Sequence, residues 1–147
     1  MHRHEEGFEL DSDLSRLDLD LVERWLAVES YWAFGRPRAQ IERSLANSTV
    51  YGLYNDLGFQ VGLFRVVTDR ATFAWLCDVF IAHDYRGRGL AQWALAQIRE
   101  DLYELGVYRI ILVTQDAHGV YAKAGFTPLT EPEKMMILTT PRIRPPA

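Results

Sequence analysis

The residue pattern with the clearest chemical meaning is the stretch 76–91, in which two glycines follow an apolar run. The apolar run predicts a buried strand, and the helical periodicity after Gly89 predicts a helix. The first turn of a helix carries backbone N–H groups without intrahelical partners and about half a unit of positive charge. Gly87 and Gly89 would let the backbone approach a bulky anion, and Arg86 and Arg88 would add charged donors. The stretch therefore predicts a phosphate-binding turn, although an isolated Gly-Arg-Gly is more often an ordinary tight turn.

Two common phosphate-binding motifs are excluded. The dinucleotide fingerprint requires a third glycine three positions after Gly89, where this chain has Gln92. The Walker motif requires Gly-Lys followed by Ser or Thr, which the sequence lacks.

The stretch 86–91 resembles the Arg/Gln-x-x-Gly-x-Gly/Ala signature of the GNAT acyltransferase superfamily. About 30 residues later, Ala117, Tyr121 and the pair Gly125-Phe126 are similar to that family's Ala-x-x-Leu-Tyr-x-x-x-Gly-Phe pattern. Two signatures in this order and at this separation are far more specific than either alone. They cover the C-terminal half of the chain, and the N-terminal half agrees with the family in the order of its elements.

The resemblance implies an α/β fold with a mixed, centrally splayed β-sheet flanked by helices, formed as a single domain over residues 1–147. In that family the sheet splits between its fourth and fifth strands, and acetyl-CoA lies in the split. Hydrophobic periodicity agrees with this order, with helices first, antiparallel strands next, and alternating strands and helices at the end.

The resemblance also assigns residues to acetyl-CoA. The diphosphate would contact the backbone of one turn, formed by Arg86, Gly87, Arg88, Gly89, Leu90 and Ala91. The pantetheine arm would extend the strand at Val79, Phe80 and Ile81, and the N–H of Val79 would donate to the thioester carbonyl. Thr114 lies where many members have an asparagine that contacts pantetheine, and its hydroxyl replaces only part of an amide.

Tyr121 stands where the family has a tyrosine that protonates the departing thiolate. A phenol with a pKa near 10 keeps its proton at neutral pH, so Tyr121 is predicted as the catalytic acid and as a cofactor contact. The structural alternative is a core position beside Phe126.

The acceptor amine, with a pKa of about 10.4, must lose its proton before it can attack. Asp78 interrupts an apolar strand, and burial is expected to raise its pKa into the range of a useful base. Two other interpretations are equally good. The carboxylate could accept backbone N–H bonds in a bulge, or it could anchor a positive group of the substrate.

The resemblance implies that the loop between the two predicted helices forms a wall of the acceptor site, and aromatic residues lie in this loop. Tyr31, Trp32 and Phe34 lie in the loop between two predicted helices, and Trp75 lies on the strand before Asp78. Their rings could hold an amine with about 0.5–2 kcal/mol, or they could pack as lids over the core. His118 titrates in a useful range and is a further candidate for this site, with a solvated helix terminus as the alternative.

Composition limits the function. The net charge of −4 and the lack of a basic stripe argue against a nucleic-acid partner. The one cysteine, Cys77, lies in an apolar run, so neither a disulfide nor a thiol nucleophile is expected. The four histidines have no metal-ligand spacing, so no metal is expected. With no visible signal peptide or membrane-spanning run, a cytoplasmic protein without membrane contacts is expected.

Periodicity predicts the remaining elements. A helix over residues 17–29 would bury Leu21, Trp25 and Val28, and the helix after Gly89 would bury a face that ends at Leu105. The other predicted elements are a short first strand over 8–10, a helix over 37–47, strands over 49–55, 59–67 and 72–81, and a short helix over 118–124. An apolar strand over 107–113 suits a sheet interior covered on both faces. Final strands are expected over 126–129 and 135–138, followed by a frayed tail over 141–147.

The sequence thus predicts an N-acetyltransferase that moves the acetyl group of acetyl-CoA to a primary amine by direct attack in a ternary complex. The acceptor would be a small molecule or a peptide amine, and the resemblance leaves open a homodimer. A non-catalytic CoA-binding module for regulation or interaction is the alternative. A site for another phosphate ligand is a third hypothesis.

Overall fold

The computed structural model of the chain describes residues 1–141. Its strands are β1 (His2–Arg3), β2 (Glu9–Asp11), β3 (Thr49–Tyr54), β4 (Gln60–Thr68), β5 (Ala74–Ile81) and β6 (Ile110–Ile111). Its α-helices are α1 (Leu19–Glu23), α2 (Arg38–Ala46), α3 (Leu90–Glu104) and α4 (His118–Lys123). The expected frayed tail lies, from residue 142 onward, outside the described residues.

The six strands form one sheet in chain order, antiparallel from β1 to β5 and parallel between β5 and β6. The β5–β6 ladder joins Ala74 to Ile110 and Trp75 to Ile111, and then the strands separate. Helices flank the sheet, so the predicted mixed, centrally splayed sheet is confirmed. The split lies between the fifth and sixth strands because β1, only two residues long, precedes the strands that periodicity predicts.

A β-bulge in β5 changes which alternate side chains of the strand face each of the two cores. The register of β4 and β5 pairs Arg65 with Cys77 and Leu63 with Phe80, so two residues of β5 oppose one of β4. Before the bulge, Leu76 packs in the core beneath α3; after it, Phe80 packs in the core formed with α1 and α2. Without the extra residue, positions 76 and 80 would share one face.

The first helix is confirmed, but part of its predicted buried face is wrong. After α1 the chain continues as a π-helical segment, Arg24–Glu29, in which the N–H of Ser30 bonds to the carbonyl of Trp25. The wider turn moves successive side chains off the 3.6-residue stripe. Trp25 is buried as predicted, but Leu26 takes the core position expected for Val28, which is exposed.

The predicted long helix is confirmed as α3. Its buried face contains Leu90, Ala94, Ile98 and Leu102, whereas Leu105, at the helix C-terminus, is exposed. Gly106 ends the helix with a φ of +86°, as its position after the last turn predicts. None of the helices in residues 1–141 is both long and apolar enough to cross a membrane.

The C-terminal strand predictions are wrong for the described residues. Of the expected strand 107–113, only Ile110–Ile111 pairs, and Val113 is exposed. The segments 126–129 and 135–138 form no strand, and Met136, Ile137 and Leu138 are almost fully exposed. Apolar composition shows that a segment favours burial, but it does not supply the partner that would cover it.

Gly52 provides a test of the packing in β3. A Cβ at this position would lie 2.6 Å from Cζ of the buried Tyr54 and still closer to its hydroxyl oxygen. We expect Gly52→Ala to lower the free energy of unfolding by about 1–3 kcal/mol, because the ring cannot move without disturbing the core.

The matched control is Gly119→Ala in α4, where nothing lies within 4 Å of the added Cβ. Alanine should raise stability there by about 0.5–1 kcal/mol, because glycine weakens a helix. Urea unfolding of the two variants measures both effects. Equal free energies of unfolding would contradict the packing described for Tyr54.

Candidate active site

A cavity of about 810 Å³ opens where β5 and β6 separate. Its walls come from the end of β5, the turn into α3, the loop after the π-helical segment, and α4. The lining residues are Glu29, Ser30, Tyr31, Trp32, Val79, Phe80, Ile81, Tyr85, Arg86, Gly87, Gly89, Leu90, Ala91, Gln92, Asp116, Ala117, Val120, Tyr121 and Lys123. Both sequence signatures therefore contribute residues to one cavity.

The turn before α3 presents unused backbone donors to this cavity. Gly87 and Gly89 have φ values of +73° and +75°, which favour glycine. The first helical bond of α3 runs from the N–H of Trp93 to the carbonyl of Gly89. Within residues 1–141, the backbone N–H groups from Gly87 to Gln92 donate to no protein acceptor. The N–H of Arg86 is different, because it already bonds to the carbonyl of His83.

The two arginines of the turn do different things. The guanidinium of Arg86 lies at the cavity wall, donates to the carbonyl of Ile81 at 2.8 Å, and lies over the ring of Phe80. Arg88 is not part of the lining; its guanidinium lies over the rings of Phe8 and Tyr85. Both arginines were expected to direct charged hydrogen-bond donors into the site. Arg86 lies where it could do so, and Arg88 does not.

The bulge in β5 is formed by Asp78 and Val79, which have no partners in the β4 register. Asp78 has a φ of +48°, in the left-handed region where residues other than glycine are uncommon. Aspartate tolerates this conformation better than most residues, which explains a polar residue in an apolar strand. Val79 follows directly and lines the cavity.

The carboxylate of Asp78 is buried and fully engaged. It accepts hydrogen bonds from Nε1 of Trp32 at 2.9 Å, from Nη1 of Arg36 at 2.7 Å, and from Nε of Arg65 at 2.8 Å. Burial alone would raise the pKa of Asp78, but the hydrogen bonds and charges of Arg36 and Arg65 outweigh it, so this pKa lies below its usual value. The prediction of a raised pKa is therefore wrong, since two cations share the buried site.

Tyr121 lies in the cavity wall and also packs against the core, with its ring edge-on to Phe126. Tyr121 therefore occupies a position that is both part of the cavity wall and part of the core beside Phe126. Burial raises the pKa of Tyr121 to about 12, with smaller contributions from Tyr31 and Asp116. Its hydroxyl is protonated throughout the physiological range.

A weak bridge joins two loops across the cavity. The hydroxyl of Tyr31 donates to Oδ1 of Asp116 at 3.3 Å and accepts from the N–H of Gln115 at 3.4 Å. Tyr31 and Trp32 pack edge-on at 5.1 Å, and both line the cavity as predicted. Tyr31 and Trp32 therefore lie close in the chain to one cavity carboxylate, Glu29. The other cavity carboxylate, Asp116, lies on the loop that the bridge joins to them.

Several predicted site residues lie elsewhere. Phe34 is exposed, Trp75 sits within the sheet opposite Val67, and His118 is exposed at the start of α4; none of them lines the cavity. Thr114 also lies outside the lining, because its hydroxyl accepts from the N–H of Ala117 and so caps the turn before α4.

Cys77 is half-buried on β5, and burial raises the pKa of its thiol to about 11. The thiol is therefore protonated at neutral pH and a poor nucleophile. Within residues 1–141, no three His, Cys, Asp or Glu side chains are grouped so that they could hold a metal ion.

Sequence reasoning missed some residues of the site. Glu29 and Ser30, at the C-terminal end of the π-helical segment, line the cavity. Arg36 and Arg65 both donate to Oδ2 of Asp78, across 42 and 13 residues of sequence. A buried carboxylate in an apolar strand signals that cations lie nearby, but it does not say which arginines supply them.

The chain was compared with known proteins. Residues 19–126 match the model of the acetyltransferase (GNAT) family. A Xanthomonas campestris protein described as belonging to the GNAT family has 38% identity and a TM-score of 0.81, over 91% of this chain and 94% of that one. A Gibberella zeae protein provisionally named as an acetyltransferase is 29% identical over 78% of this chain and 75% of its own length.

The fold also resembles N-acetylglutamate synthase from Neisseria gonorrhoeae, solved with coenzyme A and N-acetylglutamate. The TM-score is 0.72 at 17% identity, over 88% of this chain and 30% of that one. All the cavity walls lie within the residues that match the family model. This chain belongs to the GNAT family of acetyltransferases.

Proposed function

We propose that the chain, as one domain over residues 1–147, transfers the acetyl group of acetyl-CoA to a primary amine. The observation that carries this proposal is the row of unused N–H groups between Gly87 and Gln92, which opens into the cavity beside the bulge of β5. A helix N-terminus with free donors and two positive-φ glycines suits a diphosphate. Neither Gly87 nor Gly89 has a protein atom within 4 Å of the position that a Cβ would occupy, so the space beside the turn is open.

The edge of β5 fits the pantetheine arm. Beyond Trp75, no strand within residues 1–141 covers the side of β5 that faces β6. Val79, Phe80 and Ile81 line the cavity on this stretch, so their backbone could pair with the amide groups of pantetheine as another strand would. The bound thioester would then lie along the bulge.

The bulge has a role of its own in this proposal. Because Val79 has no register partner on β4, its N–H could donate to the thioester oxygen as negative charge develops there. The cluster of Asp78, Arg36 and Arg65 carries one more positive than negative charge, which favours that charge development. We assign Asp78 to positioning rather than to proton transfer, because its oxygens already accept three hydrogen bonds.

In the reaction, the amine nitrogen forms a bond to the carbonyl carbon, and the bond from that carbon to sulfur breaks. Tyr121 would donate a hydrogen bond to the departing thiolate. Full proton transfer from a phenol with a pKa of about 12 to a thiolate with a conjugate-acid pKa of about 8.5 is uphill, so hydrogen bonding is the better description. Solvent can then supply the proton of the released thiol.

The acceptor amine must first lose a proton, at a cost of about 4–5 kcal/mol at neutral pH. Glu29 and Asp116 are the carboxylates of the cavity lining, and either could take this proton directly or through water. The rings of Tyr31 and Trp32 would hold the amine beside them. Substrate classes that fit are small-molecule amines and peptide amines.

Binding of acetyl-CoA is the first test. We expect calorimetry to detect binding to the wild-type chain and to show at least a tenfold weaker Kd for Gly89→Ala, because alanine strains the turn and fills the space for the diphosphate. The matched control is Gly58→Ala in the β3–β4 turn, which has a similar φ of +83° and equally open surroundings. Its Kd should stay within twofold of wild type, and equal weakening by both variants would argue against this site.

Release of CoA thiol across a panel of amines is the second test. We expect Tyr121→Phe to reduce turnover by about 10–100-fold, because the departing thiolate loses a donor. Cys77→Ser should retain activity within twofold, because no acyl-enzyme forms. Tyr121 should not ionise below pH 10, so turnover should show no fall from it up to that pH. Binding without amine-dependent thiol release would instead support a non-catalytic CoA-binding module.

The role of Asp78 is tested by stability against pH. We expect Asp78→Ala to lower the free energy of unfolding by about 3–5 kcal/mol at pH 7, because two mostly buried guanidinium groups lose their carboxylate. The folded-state pKa of Asp78 lies below the ordinary 3.8, so its contribution is complete above that pH and is lost as the pH falls through the folded-state pKa. The gap between wild type and variant should therefore narrow below about pH 4.

Asp56→Ala, at an exposed turn, is the control and should change stability by no more than about 0.5 kcal/mol. Hydrogen exchange over residues 30–37 should quicken in Asp78→Ala, or in Asp78→Asn should the alanine variant not fold. An unchanged exchange rate in that loop would contradict the positioning role.

A further inference from the structure

The charged residues that line the 810 Å³ cavity fall into two groups. Arg86 belongs to the turn proposed for the diphosphate, and Lys123 lies at the C-terminal end of α4. The acids are Glu29, at the end of the π-helical segment, and Asp116, on the loop before α4. A bound diphosphate would offset the two cations, so the field that remains beside the two acids is negative.

Neither acid is neutralised by a close cation of the described chain. Within residues 1–141, Asp116 forms no ion pair and accepts one long hydrogen bond, from the hydroxyl of Tyr31 at 3.3 Å. The ion pair of Glu29 joins its Oε2 to Nε of Arg24 at 3.8 Å, and both side chains are well exposed to solvent. An exposed pair at this distance is weak. Each acid is therefore able to bind a cation from a ligand without breaking a strong contact within the protein.

Aromatic faces accompany the two acids. Tyr31 follows Glu29 by two residues, and its hydroxyl reaches Oδ1 of Asp116, so one side chain connects the two acidic loops. Trp32 is fixed beside Tyr31, because its Nε1 donates to Asp78. Both rings line the cavity and are about half exposed. Such faces suit the methylene groups and the ammonium group of an alkylamine.

Asp116 is the acid that acts on Tyr121. Burial is the main cause of the raised pKa of Tyr121, and Tyr31 and Asp116 add to it, whereas Glu29 is not among the causes. Because Coulomb energies fall with distance, the carboxylate of Asp116 lies nearer to the phenol proposed beside the departing thiolate. An ammonium group on Asp116 is therefore well placed to react, and one on Glu29 lies farther from the reacting atoms.

We propose that the acceptor is a diamine without a carboxylate, in which Asp116 holds the amino group that is acetylated and Glu29 holds the second one. This assignment rests on the proposed acetyl transfer and names the substrate class for it. At neutral pH both amino groups are protonated, since the pKa of an alkylammonium group is about 10. Each one enters the site as a cation, which a carboxylate binds through a charge-assisted hydrogen bond.

An acceptor that also carries a carboxylate fits this lining poorly. Its carboxylate would lie beside Glu29 or Asp116, and like charges repel each other. Arg36 and Arg65 do not relieve this repulsion, because both already donate to Asp78 and neither lines the cavity. The site thus favours diamines by attraction and disfavours free amino acids by repulsion.

The reaction changes the charge that the site recognises. Asp116 takes one proton from the ammonium group beside it, and the freed nitrogen bonds to the thioester carbon. The bond from that carbon to sulfur breaks, and the second proton that the nitrogen loses passes through solvent to the CoA thiolate. The new amide is neutral, so the product keeps its cation at Glu29 and loses the one at Asp116. We therefore expect the product to bind more weakly than the substrate.

Matched acceptors test this inference in the thiol-release assay of the full chain. The straight diamines with four and five carbons and an amino group at each end differ from ornithine and lysine by one carboxylate. They differ from butylamine and pentylamine by the second amino group. We expect kcat/KM for the better diamine to be at least tenfold higher than for the amino acid and the monoamine of the same length.

The ratio of kcat/KM between diamine and monoamine tests the role of Glu29. We expect Glu29→Gln to lower this ratio at least fivefold, chiefly through KM, because the second ammonium group loses its carboxylate. A general loss of stability would lower both rates and leave the ratio unchanged. Asp116→Asn should lower kcat/KM at least tenfold for diamines and monoamines alike. The matched control is Glu104→Gln, at an exposed residue at the end of α3, and its ratio should stay within twofold of wild type.

The outcomes separate this inference from the proposed function. Values of kcat/KM within threefold of one another for diamine, amino acid and monoamine would overturn the inference and leave acetyl transfer to amines in place. An unchanged ratio in Glu29→Gln would overturn it as well. Binding of acetyl-CoA without thiol release from any amine of the panel would overturn the proposed function, and the inference with it.

Discussion

The buried carboxylate of Asp78, shared by two guanidinium groups, is the interaction on which the site depends. It stabilises a left-handed residue in the middle of a strand, and that residue creates the bulge. Each of its three donors comes from a different place: the loop after the π-helical segment supplies Trp32, the residues before α2 supply Arg36, and β4 supplies Arg65. One charged group therefore sets the backbone of β5 and the position of the loop that faces it. Removing the carboxylate would leave two cations largely cut off from water, which is why the arrangement tolerates little variation.

The site also shows how a weak local signal becomes specific through packing. Two glycines with positive φ values make a turn, and the fold makes that turn a possible ligand site. β5 ends at the turn, α3 begins there, and the separation of β5 and β6 leaves the N–H groups facing open space. The arginine that motif reasoning treats as a second donor, Arg88, instead lies over Phe8 and Tyr85. The first residues of the chain are thereby attached to the turn.

The parts of the fold that depend on local periodicity could be predicted from the sequence. These include α3, the β3–β4 hairpin and the splayed sheet that the two signatures imply. The parts that failed depend on partners far away in the chain. Val28 is exposed because the helix continues as a π-helical turn, which local periodicity does not indicate. The pKa of Asp78 lies below its usual value because of two arginines that no sequence spacing connects to it. The segment 135–138 is apolar as a strand should be, but nothing in its own composition supplies a strand partner, and it is exposed.

The bulge also affects how the protein can change over generations. Leu76 before it, and Val79 and Ile81 after it, contact the core beneath α3, which begins at the glycine turn, whereas Phe80 contacts the core of α1 and α2. Substitutions around Phe80, α1 and α2 therefore fall in a different packing unit from those that hold the glycine turn. Under the proposed function, substitutions in α1, α2 and their loop could change the amine that is accepted while the proposed contacts to acetyl-CoA stay the same. One additional residue in one strand thus assigns Leu76 and Phe80, which a regular strand would place on one face, to two packing units that can change independently.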